Sequence, residues 1–235
     1  MTRSQGFTLI ETLITMLILG FIITMLISVQ STTMKFSTRQ QGMSTQLTSL
    51  AEATGYISDM VRQAQEVKTS MTVNGQSCSI SSTTNPCFGV LVPASQTGVT
   101  TNMYQINTYL MLVYRLESRS TLDAAFKTTD SWADSNTSVI REYRSVVCKD
   151  ATGFTACNGT APAAPNAISN AAVYLVADGV SLTTPSGAAY APFSYTTSGS
   201  IKQFTLQVQM AYQSNNTTYH VPASGPQSVM VRLRN

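Results

Sequence analysis

The chain has 235 residues, a formal net charge of +3 and only 11% charged residues, less than half the share typical of soluble domains. A chain of this length can bury a sizeable core, as one large domain or two small ones. Its basic residues are scattered, so the sequence lacks the dense basic stripe that marks nucleic-acid-binding proteins.

The N-terminal segment is a short polar leader followed by a long apolar run. Residues 1–6 include Arg3, and from Phe7 to Val29 the only charged residue is Glu11. As an α-helix, these 23 residues would span about 34 Å, enough to cross a hydrocarbon core of about 30 Å. A secretory signal peptide has a shorter apolar region and a small-residue cleavage site after it, which is missing here. The basic leader favours a cytoplasmic N-terminus, which predicts that everything after the helix lies outside the inner membrane.

The junction Gly6-Phe7-Thr8-Leu9-Ile10-Glu11 resembles the class III signal of type IV prepilins and of the pseudopilins of type II secretion. The resemblance implies that a prepilin peptidase cuts after Gly6 and methylates the new amino terminus at Phe7. It also implies that Glu11 is the family's glutamate at the fifth mature position. The family often has a proline in the second half of this segment, where this chain has Ser28, which implies a smoother or differently placed bend.

Glu11 becomes a charge in an apolar environment once its segment enters a membrane or a filament. An unpaired carboxylate in hydrocarbon costs about 2.5–3.5 kcal/mol on insertion scales, and the Phe7 ammonium of a neighbouring subunit would be a suitable partner. Such a pair would fix the axial register of a filament whose other contacts are apolar and weakly directional. A local role is the alternative, because Thr8-x-x-Glu11 also has the pattern of a helix capping box. The two roles are compatible.

Beyond the apolar run the sequence turns polar but keeps a helical period. The pattern predicts one helix over about residues 7–70, roughly 96 Å long, with Asn74-Gly75 as its stop signal. Residues 7–29 would be the transmembrane and assembly half, and residues 30–70 the amphipathic half that packs on a globular domain. A single-pass anchor followed by a linker is the alternative, which the sustained period disfavours. The apolar face consists of Leu47, Leu50, Ala53, Ile57, Met60, Val61, Ala64 and Val67.

Residues 71–235 form the predicted globular part. From residue 78 onward, apolar and polar side chains alternate with the period of β-strands. We therefore expect a mostly antiparallel β domain with one polar face and one face on the helix, which makes the fold α+β and pilin-like. Long polar loops are expected at 118–137, 151–170 and 213–227. The order of Ala177–Leu182, Phe193–Tyr195, a strand and the closing Val231–Asn235 resembles the larger minor pilins and J-type pseudopilins. The strand predictions are Phe88–Val92, Tyr104–Glu117, Val139–Val147, Val173–Val176, Gln203–Tyr212 and Ser228–Arg234.

The four cysteines form two local pairs, Cys78 with Cys87 and Cys148 with Cys157. Metal sites usually have two to four residues between paired cysteines and histidines nearby, and this chain has one histidine. A disulfide framework in an oxidising compartment fits the spacing better. Three connectivities are possible, of which the two local loops are favoured because they need little loop closure. Reduced, partly buried thiols are the alternative.

The sequence offers little chemistry for catalysis or cofactor binding. His220 would have to serve any histidine-dependent triad, and it lies in an ordinary strand end or loop. No phosphate-binding loop, dinucleotide fingerprint or zinc-protease motif is present. Asp123, Asp130, Asp134 and Asn136 could offer oxygens to calcium, but their spacing matches no EF-hand. We therefore predict a protein that is not an enzyme and that has no cofactor and no metal site.

Three functional hypotheses follow from these patterns. The first is a minor pilin of a type IV pilus, and the second is a pseudopilin of a type II secretion system. The third is a filament-borne module that binds DNA or a surface ligand through its loops. In the first two, the partners are prepilin peptidase, the inner membrane and other pilin subunits, and the globular domain lies in the periplasm before assembly.

Overall fold

The computed structural model describes residues 8–93, 108–127, 130–150, 153–155, 166–199 and 201–233. The chain forms two compact units, Met1–Met43 and Ser44–Asn235. After Thr8, the described part of the first unit is helix alone. The second unit contains the remainder of that helix and all the described strands.

The described residues form two α-helices, a set of β-strands and short 3₁₀ turns at Arg119–Thr121 and Ala124–Phe126. The helices are α1 (Leu9–Gln63) and α2 (Ser131–Asn136). The strands are β1 (Glu66–Lys68), β2 (Ser70–Val73), β3 (Gln76–Ser79), β4 (Cys87–Pro93), β5 (Thr108–Ser118), β6 (Ser138–Asp150), β7 (Gly153–Thr155), β8 (Ala167–Ile168), β9 (Ala172–Ser181), β10 (Phe193–Ser198), β11 (Ile201–Ser214), β12 (Thr217–Val221) and β13 (Gln227–Arg232).

The long helix α1 ends at Gln63, before the predicted end at residue 70. The backbone N–H of Gln65 donates to the carbonyl of Leu91 at 2.8 Å, and Val67 in β1 pairs with Val90 in β4. The apolar period that runs to Val67 is therefore real, because Val67 is buried. Val67 itself, however, lies in strand β1 of the sheet and not in a further turn of the helix.

The C-terminal part of α1 packs on the main sheet along one face. Its buried apolar residues, Leu50, Ala53, Ile57 and Val61, are three or four positions apart. The predicted stripe is therefore confirmed here, although Leu47 at its start is exposed. Burying a Val, Leu or Ile side chain contributes about 1.5–3 kcal/mol, so this face holds the second half of the helix in place.

The main sheet has the strand order β1-β4-β5-β6-β9-β11-β10, and all its described pairings are antiparallel. β12 and β13 also pair with β11, and β7 pairs with β6. A second, three-stranded sheet has the order β3-β2-β8, with β2 and β8 parallel. The long N-terminal helix on a mostly antiparallel sheet confirms the predicted α+β, pilin-like class.

Alternate residues of β5 enter two different cores. Leu112 and Tyr114 face the core that includes α1, whereas Met111 and Val113 face a smaller core beneath the three-stranded sheet. The expectation of a polar outer face is wrong for this strand, because that second sheet covers it. The residues predicted to begin the strand, 104–107, lie outside the described residues.

Two predicted irregular segments are tight hairpins. Asn74 and Gly75 have positive φ angles of 49° and 81° and connect β2 to β3, so they do not stop the helix. Asn215 and Asn216, with φ of 51° and 60°, connect β11 to β12 within the predicted loop 213–227. Positive φ at both central residues is typical of type I′ turns, which match the twist of paired strands. Most of the predicted loop 151–170 lies outside the described residues.

Phe88 of β4 lies at the centre of an aromatic cluster in the main core. Its ring centroid is 4.3 Å from that of Phe204, 4.8 Å from that of Phe193 and 5.0 Å from that of Tyr114. All four side chains are fully buried. These rings link β4 and β5 to β10 and β11, strands that are distant in the sequence.

Cys78 and Cys87 form a disulfide, as predicted. The bond joins the end of the β2–β3 hairpin to the start of β4 and closes the loop between them. Cys148 lies in β6, and its predicted partner, Cys157, lies outside the described residues. The Cys148–Cys157 pairing therefore stays a prediction.

Candidate functional site

The apolar half of α1 is exposed over its whole length. It contains one helix segment long and apolar enough to cross a membrane, with a mean hydropathy of 2.5 in its most apolar window, none of which is buried within the chain. Leu9, Leu17 and Phe21 are each more than half exposed. Such a segment needs an apolar environment that the described chain does not supply.

Hydroxyl groups within this apolar half bond back to the helix itself. The Oγ1 atoms of Thr15 and Thr24 donate to the carbonyl oxygens four residues earlier, at 2.9 and 3.1 Å. An unsatisfied hydroxyl in hydrocarbon is costly. Because these threonines have partners on their own helix, they are compatible with a lipid or helix-packed environment.

Glu11 caps the start of α1. The backbone N–H and the Oγ1 hydroxyl of Thr8 both donate to its Oε2, each at 3.0 Å. This is half of a capping box, with the glutamate bonded back to the residue that precedes the helix. Within residues 8–93 and the other described ranges, Glu11 forms no ion pair. The structure thus contains the predicted local role of Glu11.

The predicted processing residues, Gly6 and Phe7, lie outside the described residues. Their roles in cleavage and methylation remain predictions, as does the pairing of Glu11 with a neighbouring Phe7 ammonium. Among the described residues, the N-terminal segment therefore contributes the apolar helix and the Thr8–Glu11 cap.

A buried ionic cluster joins α1 to the sheet. Glu142 of β6 is fully buried; it accepts a hydrogen bond from the Tyr56 hydroxyl at 2.7 Å and another from Arg144. Arg144 also donates to the Tyr56 oxygen at 3.0 Å and lies over the Tyr174 ring, 4.1 Å from its centroid. Burial, together with the bond to Glu142, raises the pKa of Tyr56. Sequence reasoning missed this cluster, although two charged residues on the face of β6 that also carries Ile140 were a signal.

A second cluster fixes the predicted loop 118–137. Arg119 is 2% exposed and donates to Asp178 at 2.7 Å and to Asp134 at 2.6 Å, and Lys127 also pairs with Asp134 at 3.1 Å. Burial alone would raise the pKa of Asp134, but its bonds to Lys127 and Arg119 lower it. Asp130 caps α2 by accepting from the Ala133 N–H. These acidic groups have structural partners within the chain.

His220 lies in β12 and is half-buried, and burial lowers its pKa. Its register partner in β11 is Ala211. Its Nδ1 atom has no hydrogen-bond partner among the described residues. In the same part of the chain, no group of three or more His, Cys, Asp or Glu side chains is placed to hold a metal ion.

The family model of the prokaryotic N-terminal methylation motif matches residues 1–27, which include the Gly6-Phe7 junction and Glu11. No curated protein and no solved structure gives a significant match to the chain. The sequence therefore carries the N-terminal methylation motif of class III signal peptides at the start of a long apolar helix, and this supports a type IV pilin or pseudopilin.

Proposed function

We propose that this chain is a minor pilin of a type IV pilus. It is cut after Gly6 by prepilin peptidase, methylated at Phe7 and assembled through its N-terminal helix. Before assembly, the helix spans the inner membrane and residues 71–235 lie in the periplasm. The protein acts in filament initiation or at the filament tip. The pilus that contains it serves motility, adhesion or DNA uptake.

The proposal rests on one observation above all, the uncovered apolar half of α1 in the segment that carries the methylation motif. An exposed apolar helix of this length is stable only in lipid or among other apolar helices. A prepilin meets both environments in turn, first the membrane and then the filament. Size favours a minor subunit, because a domain of this bulk is large for one that repeats side by side.

Glu11 then has a second role in the filament. Both of its hydrogen bonds among the described residues go to Oε2, so a cation from another subunit can approach Oε1 without breaking the cap. The methylated Phe7 ammonium of a neighbour is that cation. One such pair in an apolar interface would set the axial stagger between subunits, because the remaining contacts are weakly directional.

Intact mass of the membrane-purified protein tests the processing step. We expect loss of residues 1–6 and gain of one methyl group on Phe7, and we expect Gly6→Val to prevent both. Ser4→Val is the matched control, because it changes the leader but leaves the Gly6-Phe7 junction intact. A full-length leader in a strain with active prepilin peptidase would contradict the proposal.

Fractionation of sheared pili and the phenotype of a deletion strain distinguish a type IV pilus from a type II secretion pseudopilus. Recovery of the processed chain in sheared surface pili, with reduced piliation in a deletion strain, supports the minor-pilin function. Normal pili combined with failure to secrete folded proteins in the deletion strain would assign the chain to a type II secretion pseudopilus instead.

A further inference from the structure

A polar pocket lies on the face of the sheet opposite α1. Its volume is about 520 Å³, within the range of about 300–1,000 Å³ for small-molecule sites. The walls come from the β2–β3 hairpin, the loop closed by the Cys78–Cys87 disulfide, the adjoining ends of β5 and β6, and the 3₁₀ turn that ends at Thr121. Elements far apart in the sequence thus converge on one cavity.

The charges in this pocket do not balance. Arg115 of β5 and Arg141 of β6 are direct register partners, and like charges at such positions are destabilising. Glu117 lies beside both: its Oε1 is 3.4 Å from Arg115 Nη1, and its Oε2 is 3.0 Å from Arg141 Nη1. Tyr143 also donates to Glu117, at 2.6 Å. Among the described residues that line the pocket, two cations therefore face one carboxylate.

Arg115 has unused hydrogen-bonding capacity. It is 8% exposed, and its Nε has no hydrogen-bond partner among the described residues. Its Nη2 donates at 2.8 Å to Oε1 of Gln76, an exposed residue at the start of β3. A neutral amide oxygen thus lies where a ligand carboxylate would form an ion pair with the guanidinium, a pairing that is frequently bidentate.

The rest of the lining consists mainly of neutral polar groups. Asn74, Thr84, Asn85 and Thr121 offer amide and hydroxyl groups, and all four residues are exposed. Such groups donate to and accept from ligand hydroxyls. The lining therefore suits a hydroxylated anion better than an apolar one.

We propose that this pocket binds an acidic sugar of the hexuronic acid class. The sugar carboxylate pairs with Arg115 and Arg141 and displaces the Gln76 amide, while the ring hydroxyls bond to the amides and hydroxyls at the rim. This binding site is independent of the processing of the N-terminus, so either proposal can fail without the other.

The test is a ligand-observed NMR titration of the full-length chain in detergent micelles. The probes are D-glucuronate, D-glucose, acetate and a tri-aspartate peptide. We expect D-glucuronate to bind, and both D-glucose and acetate to bind at least about tenfold more weakly, since each lacks half of the recognised groups.

Variants that change the net charge of the pocket in opposite directions make the test specific. Arg141→Gln neutralises the pocket and should weaken glucuronate binding by about tenfold or more, the expected effect of losing a charge-assisted bond. Glu117→Gln removes the competing carboxylate and should tighten binding, a direction that a purely structural role would not produce. Gln76→Ala, at an exposed position, should leave the fold intact and retain or tighten binding. Arg62→Gln is the control, because Arg62 is exposed on α1.

Several outcomes would overturn the proposal. Absence of glucuronate binding, equal binding of glucose and glucuronate, or equal binding of acetate and glucuronate would each do so. Tighter binding of tri-aspartate than of glucuronate would make this an acidic-peptide site. Unchanged glucuronate affinity in Arg141→Gln would remove the pocket as the place of binding.

Discussion

Replacing Arg119 by Met should destabilise the attachment of the 119–136 segment to the β domain. The Arg119 side chain is 3% exposed and makes charge-assisted hydrogen bonds to Asp134 and Asp178. Each such bond contributes about 1.5–3 kcal/mol when buried. The two carboxylates are 28% and 35% exposed, so water replaces part of the lost interaction. We therefore expect the free energy of unfolding to fall by about 2–3 kcal/mol.

The assay uses the chain's single tryptophan, Trp132. It is half-buried in α2, two residues from Asp134, so its fluorescence reports on this segment during urea unfolding. Arg62→Met is the matched control, because Arg62 pairs with Asp59 on the exposed surface of α1. Surface pairs of this kind contribute about 0–1 kcal/mol. A loss below about 0.5 kcal/mol in Arg119→Met would refute the reasoning, because burial of Arg119 would then have no energetic consequence.

The reverse change gives a sharper comparison. Replacing both Asp134 and Asp178 by Asn leaves the buried guanidinium without a carboxylate among its described partners. An unpaired buried charge is more costly than a pair of partly exposed carboxylates that have lost their cation. We therefore expect the double Asp→Asn variant to be less stable than Arg119→Met. The opposite order would show that the carboxylates, not the arginine, carry the desolvation cost.

The same cluster gives a pH dependence with a definite sign. Since the folded-state pKa of Asp134 lies below its ordinary value of 3.8, its contribution to stability is present above about pH 4 and is lost as the pH falls through the folded pKa. The stability difference between the wild type and Asp134→Asn should shrink in that acidic range. A difference that stays constant from pH 7 to pH 3 would contradict the assignment.

Three further predictions concern the core, the disulfide and the assembly segment. Phe88→Ala should lower the free energy of unfolding by about 3–5 kcal/mol in urea titrations, because a fully buried ring is removed from the centre of the aromatic cluster. Replacing Cys78 and Cys87 by Ser should cost about 2–3 kcal/mol in the same titrations, the chain-entropy estimate for a loop this short. Glu11→Gln keeps an oxygen for the Thr8 donors, so it should reduce the yield of sheared filaments without changing monomer stability; Glu52→Gln, an exposed site on the same helix, should assemble normally.

The features that sequence predicted well depend on neighbours close in the chain. Three such features are the apolar run, the capping pair Thr8 and Glu11, and the buried face of α1. Each is defined by residues that lie within a few positions of one another. The disulfide Cys78–Cys87 closes a short loop and was also predicted. Local spacing is enough to specify each of these.

The errors arose where distant segments decide the structure. Val67 fits a helix by period, but pairing with Val90 in β4 makes it part of a strand. The predicted loop 213–227 contains the β11–β12 hairpin, because Asn215 and Asn216 form a positive-φ turn that polar composition alone does not indicate. The second core exists because β2, β3 and β8 cover the outer face of β5, which no period within β5 can indicate.

Three glutamates differ in the hydrogen-bond and ion-pair partners that the described chain gives their carboxylates. Glu142 is fully buried and bonded to Tyr56 and Arg144, so nothing outside the chain can reach it. Glu117 is shared by two arginines and leaves positive charge over for a ligand. Glu11 has only neutral donors among the described residues, on a helix segment without apolar cover. In the proposed filament, the N-terminal helix of a neighbouring subunit would supply both a cation for Glu11 and that apolar cover.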